Sequence, residues 1–210
     1  MNFDDLMANR RSVNFFDPEK EVSEELLRKT IRTAAMTPSG FNLQPWSLMI
    51  LRTPGDKERL KKVAWNQPKV TEAPVVLIVL ADQEGWKEGH PFVEKVFNEM
   101  VKSGAMVEDQ RQWFADARGS LYGESAEKQQ AFACKNTGFF AMSLMLAAKS
   151  FGLETHPMDG FDLAGVRKEF NIPDNFWIPL LLAVGHVKDD FEPALPKWRK
   201  RVEDIVVTFD

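Results

Sequence analysis

The stretch APVVLIVLA, residues 73–81, is apolar and largely β-branched along its whole length, so both of its alternating faces are hydrophobic. That is the composition of a strand covered by other layers on both sides. Its nine residues are too few to cross a bilayer, which takes about 20 in a helix. A chain of 210 residues can build one sizeable core around such a strand. The expectation is therefore a single domain over 1–210 with this segment at its centre.

Outward from it, SLMIL (47–51) and WIPLLLAVGH (177–186) read as two more strands. Phe3, Leu6 and Met7 mark a short amphipathic helix. Ser23 is placed to cap EELLRKTIRTAAM, and Thr53-Pro54 opens GDKERLKKVA as a helix with proline at its first position. NTGFFAMSLMLAAKS (136–150) is apolar almost all round, the mark of a helix buried on most sides, with Gly152 closing it. Asp162 is placed to cap FDLAGVRKEF, whereas HPMDGFD (156–162) reads as a turn. Residues 83–130 read as helical with an untidy period. The end is an extended arm, VKDDFEPALPKWRKRVED, followed by IVVTF (205–209) with strand composition. Such a strand pairs either at an edge of its own sheet or with a neighbour's sheet.

The charge balance, net −4, leaves no electrostatic footprint for nucleic acid. One cysteine, Cys134, excludes an internal disulfide, and MNFDDLMANRR carries acids where a secretory leader carries bases. Both fit a cytoplasmic protein with no membrane partner. No G-x-G-x-x-G, G-x-x-x-x-G-K-[ST] or G-x-S-x-G occurs, and His90, His156 and His186 lack metal-ligand spacing. No protein side chain stands out as a catalytic group and no metal site is expected. Any chemistry therefore belongs to a cofactor.

Several segments carry groups suited to holding one. In NRRSVNFF, Arg10 and Arg11 either cap a helix C-terminus or grip an oxyanion with Ser12 and Asn14 beside them. TPSGFNLQPW (37–46) mixes turn formers, hydroxyl and carboxamide groups, and aromatics. AWNQPKVTEAP brings Asn66 and Gln67 to the start of the central strand, and Gly160 in HPMDGFD lets backbone amides approach a ligand. In LPKWRKR, Lys197 and Arg199 are spaced to share one side of an extended arm, as a grip or as a solvated charge run.

Taken in order, these segments resemble the FMN-dependent nitroreductases. RRSVNFF resembles that family's R-R-S-x-R-x-F opening, and TPSGFNLQPW matches its P-S-x-x-N-x-Q-P-W loop. NQPKVTEAPVVLIVLA is similar to its N-Q stretch leading into A-P-V-V-I-V-V, and HPMDGFD and LPKWR follow in the expected order. The resemblance runs along nearly the whole chain and fades over 83–130. It implies an α+β homodimer with a central antiparallel-rich mixed sheet and C-terminal arms exchanged between subunits. It also implies FMN as resident cofactor and NAD(P)H as transient co-substrate. Hydride would pass by way of flavin N5 to a small electron-poor acceptor in ping-pong order.

Carried over residue by residue, the resemblance places Arg10, Ser12, Lys197 and Arg199 at the phosphate and pyrimidine edge, with Arg11 alongside. Asn66 meets the ring, and the backbone of Asp159 and Gly160 points toward N5. Pro38, Ser39 and Asn42 reach the flavin bound mainly by the other subunit, while Gln44 and Trp46 anchor that loop. Asn14 stands where many members place a Lys or Arg, and so contributes no positive charge. The same scaffold is compatible with ene reduction, dehalogenation or flavin fragmentation, or with a flavin-binding protein that is no enzyme.

Overall fold

Helix starts follow the caps that the sequence supplies. After α1 (Phe3–Asn9), capped by Asn2, comes α2 (Glu24–Ala34), where the Ser23 hydroxyl accepts from the Leu26 amide at 3.1 Å. β1 spans Trp46–Leu51. The Thr53 hydroxyl caps α3 (Pro54–Val63), with Pro54 at its first position, and α4 (Lys69–Glu72) is a single turn. β2 (Val75–Asp82) is buried at every residue. Helices α5 (Pro91–Lys102), α6 (Arg111–Tyr122) and α7 (Ala126–Ser150) fill the stretch where sequence period is untidy. β3 (Glu154–Met158), α8 (Leu163–Glu169), β4 (Phe176–Gly185) and the turn α9 (Val202–Ile205) complete the order. This computed structural model describes residues 2–188, 192 and 195–209.

The four strands form one sheet in the order β1-β2-β4-β3, antiparallel at each pairing. The expected mixed character reduces to a single parallel bridge, Ser12 to Thr155. Alternation along β2 divides the core. Val76, Ile78 and Leu80 pack with Leu60 and Val166 on one face, and Val75, Leu77 and Val79 pack with Leu27, Phe140 and Leu144 on the other. The architecture is thus α+β, helices over both faces of an antiparallel sheet. By length and composition α7 is the one described helix that could cross a membrane. Its apolar residues Phe140, Leu144 and Ala148 are instead buried against β2 and β4.

Several expectations need correction. The HPMDGFD segment is not a turn throughout, because residues 156–158 belong to β3 and pair with Leu181–Ala183 of β4. The buried helix begins at Ala126, ahead of the expected Asn136. Of the two placements expected for a strand at Ile205–Phe209, pairing at an edge of the chain's own sheet does not occur. Ile205 ends the turn α9, and Val206, Val207 and Phe209 are exposed with no ladder. Strand composition yields a strand only where an edge is offered, and nothing in the described chain pairs with this segment. Within the expected arm, residues 189–191, 193 and 194 lie outside the described residues.

Candidate functional site

Two links hold the loop between α3 and α4 against the loop after β3. The Gln67 carboxamide donates to the Gly160 carbonyl at 2.7 Å, and the Asp162 amide donates to the Val63 carbonyl at 2.8 Å. Trp65 closes the joint, since a Cβ on Gly160 would stand 2.8 Å from its ring. The indole is otherwise 70% exposed. Backbone strain concentrates in the segments the sequence singled out. Phe41, Asn42, Gln44, Trp65 and Asn66 all have φ between 49° and 56°, and Asn171 is the other described non-glycine residue above zero. Bulky residues in the left-handed region cost roughly 1–2 kcal/mol each, and such strain gathers at ligand sites.

Beside that joint lies the β3 edge of the sheet. Ser12 bridges to Thr155, and the Val13 amide donates to the Thr155 carbonyl at 3.2 Å, which fixes the segment after α1 along β3. Arg10 is half-buried here. Burial, Arg11 and Arg199 all lower its pKa, against a smaller raising effect of Glu154. The terminal arm therefore comes back to the N-terminal segment of the same chain. Lys197 and Lys69 both press on His156 and lower its pKa, behind the larger effect of burial. Among the described residues no ion pair joins Arg10, Lys69, Lys197 or Arg199 to a carboxylate. Arg199 turns back on the carbonyls of Lys197 and Trp198, at 3.3 and 2.9 Å.

The expected site residues thus separate into two groups. Arg10, Ser12, Lys197 and Arg199 converge on the β3 edge, and Gly160 and Asn66 flank the joint next to it. Asn14 and Asp159 are exposed nearby in the chain. Arg11 serves the capping alternative, its guanidinium bonding the carbonyls of Ala8 and Arg10 at the end of α1. Pro38, Ser39 and Asn42 are not brought to this cluster. Their loop feeds β1 at the opposite edge, and the Trp46–Ala81 pair at its exit lies at the other end of the sheet from Thr155–Val184. Gln44 anchors the loop as expected, its amide donating to the Ser39 hydroxyl at 2.9 Å. Trp46 stacks on Phe140 with ring centroids 4.9 Å apart.

Sequence reasoning missed Lys69 and His156, which stand in contact although 87 positions apart. The one available signal was the proline turn that follows Asn66 and Gln67 and ends on Lys69. It also missed a cavity of about 350 Å³ between the Asn42–Trp46 loop and α5, lined by Phe92, Lys95, Val96 and Glu99. The N-terminus of α5 is fixed by His90, which accepts from the Phe92 amide at 3.3 Å and lies 3.2 Å from the buried Asp82 carboxylate.

A nitroreductase family model matches residues 7–186. The chain belongs to the nitroreductase family. It is 34% identical over 198 residues to an NADH dehydrogenase of Thermus thermophilus, covering 94% of this chain and 91% of that one. It is 25% identical over 185 residues to a CLA biosynthesis enone reductase of Lactiplantibacillus plantarum, covering 86% and 83%. The crystal structure of ydfN from Bacillus subtilis superposes with a TM-score of 0.88 at 27% identity, covering 99% and 98%. Family membership accounts for the antiparallel sheet with helices on both faces.

Proposed function

We propose that this nitroreductase-family protein takes hydride from NAD(P)H and delivers it to an electron-poor acceptor such as a nitroaromatic or a quinone, in ping-pong order. The coarse class, an NAD(P)H-dependent oxidoreductase that uses FMN, follows from the family. FMN supplies two-electron hydride chemistry when bound. The observation that carries the reading is the cationic edge, where no ion pair among the described residues engages Arg10, Lys69, Lys197 or Arg199. Arg199 acts on Arg10, and Lys69 and Lys197 both act on His156, a gathering of positive charge only partly answered by Glu154 and Glu72, which a bound phosphate and an electron-rich ring edge would offset. The donor set fits that group.

On this reading Arg10, Ser12, Lys197 and Arg199 hold the phosphate and the pyrimidine edge. Asn66 and the Asp159–Gly160 backbone face the ring, and the exposed Trp65 face beside Gly160 offers an apolar surface to a flat acceptor. Pro38, Ser39 and Asn42 serve the cofactor of a second copy, because they lie diagonally across the sheet from the cations. A homodimer is supported by two features. The first is the exposed apolar arm, with Trp198 and Phe209 in it, and the second is Phe139, a large apolar side chain 52% exposed on α7. With no dinucleotide-binding motif in the chain, nicotinamide and acceptor alternate at one place. Acceptor choice then falls to α5, α6 and their neighbours within 83–130. The protein acts as one domain per subunit in the cytoplasm.

Likeness to the enone reductase favours a second acceptor class, conjugated enones. The test is a panel of nitroaromatics, quinones and enones with NADH and NADPH on FMN-loaded protein. Parallel double-reciprocal lines and little oxygen uptake are expected. Intersecting lines would indicate a ternary complex and refute the shared place. Protein that takes up no flavin would refute the whole reading.

A further inference from the structure

Within the cationic edge one contact admits a single protonation state. His156 Nδ1 lies 2.7 Å from the Val13 carbonyl oxygen, which can only accept, so Nδ1 carries the proton. His156 Nε2 lies 3.3 Å from Lys69 Nζ, which as an ammonium can only donate. A doubly protonated ring would set two donors against each other there. The neutral ring instead offers its remaining lone pair to the ammonium. The imidazole thus joins three elements of the edge: the segment carrying Arg10 and Ser12, strand β3, and the turn α4.

We propose that His156 is a positioning residue of the cofactor site, a neutral Nδ1-protonated imidazole that accepts from Lys69 and holds its ammonium in the cationic edge. The inference rests on the flavin reading above. The charged groups around the ring favour that neutral state. Lys69 faces it from α4 and Lys197 from the arm, with Arg10 and Arg199 farther along the same edge. Glu154, two residues back on β3, is engaged by Lys149, and burial lowers the Lys69 pKa with Glu72 opposing it. Burial and the two lysines push the imidazole pKa down, and the Val13 carbonyl opposes them only in part. Without the imidazole acceptor, the Lys69 ammonium loses the partner that aims it.

The test is FMN titration of apo-protein at pH 7.5, followed by quenching of flavin fluorescence. His156→Gln keeps a donor for Val13 and an acceptor for Lys69, so its dissociation constant is expected within about twofold of the original. His156→Leu removes both and is expected to weaken binding about fivefold, the size of one modest hydrogen bond. In a Lys69→Ala background the same leucine change is expected to add nothing further. Nitrogen NMR of the unaltered protein, which needs no variant to fold, is expected to show the Nδ1–H tautomer. Unchanged binding in His156→Leu, a fivefold loss that persists without Lys69, or an Nε2–H tautomer would each overturn the proposal. Any of these in a protein that still binds FMN removes this inference alone, whereas protein that binds no FMN removes the flavin reading with it.

Discussion

Gln67 Nε2 donates to the Gly160 carbonyl at 2.7 Å while the ring of Trp65, two residues before it, lies close against the same glycine. These contacts tie together the two loops beside the cationic edge. Gly160→Ala would place a methyl 2.8 Å from the indole and is expected to destabilise the fold by about 1–3 kcal/mol, the range for overpacking. FMN affinity is expected to fall with it. Adding Trp65→Ala removes the obstructing ring, so urea unfolding of the pair should show less destabilisation than the two single changes sum to. Strict additivity would mean that the clash is not the cause.

The sequence was most legible where burial is written in composition. β2 is apolar on both faces and occupies the centre of the sheet, and Ser23 and Thr53 start helices because their hydroxyls accept backbone amides. β3 was illegible because Glu154, His156 and Pro157 have little strand character of their own. Their pairing comes from β4, a long-range term that local propensity does not contain. Ile205–Phe209 departs in the opposite sense, with strand composition and no partner edge in its own chain. Within the proposed site, Arg10, Ser12 and Gly160 were singled out from motif order. The Lys69–His156 contact was not, since it exists only once α4 and β3 are packed together.

Lys197 and Arg199 decide between a grip and a solvated charge run. Replacing both by Ala is expected to weaken FMN binding by about 2–4 kcal/mol if each meets a charged or carbonyl oxygen. Surface charges with no such role would change it by no more than about 0.5 kcal/mol. Calorimetric titration of the apo-protein reads the difference. An unchanged dissociation constant would take both residues out of the site.

The arm makes a separate prediction about assembly. Val202, Ile205, Val206, Val207 and Phe209 are all more than 60% exposed in the isolated chain, an apolar run that water does not favour. If the arm holds the proposed dimer together, deleting residues 200–210 is expected to shift it toward monomer and to loosen FMN, since residues of a second copy would no longer be held against the cofactor. Sedimentation at micromolar concentration, with absorbance at a flavin wavelength, follows both. A truncated chain that stays dimeric and flavin-loaded would show that the arm is not part of the interface.

Acid should weaken the apo-protein through His156. In the unfolded chain its imidazole titrates near pH 6.5. In the folded chain its pKa is lowered by burial, with Lys69 and Lys197 adding to the effect and the Val13 carbonyl opposing it. Between the folded and unfolded values the unfolded chain binds more protons, so stability rises with pH across that window. The favourable state is fully present above about pH 6.5 and is lost as the pH falls toward the folded value, where the ring must be charged beside two lysines. His156→Gln cannot titrate, while the other histidines and the carboxylates are common to both proteins and cancel in the comparison. The thermal midpoint of the unaltered protein, taken relative to that of the variant, is therefore expected to drop from pH 7.5 to pH 5. A difference that stays flat, or grows in favour of the unaltered protein on acidification, would mean that folding does not hold the His156 imidazole neutral and that the ammonium of Lys69 points elsewhere.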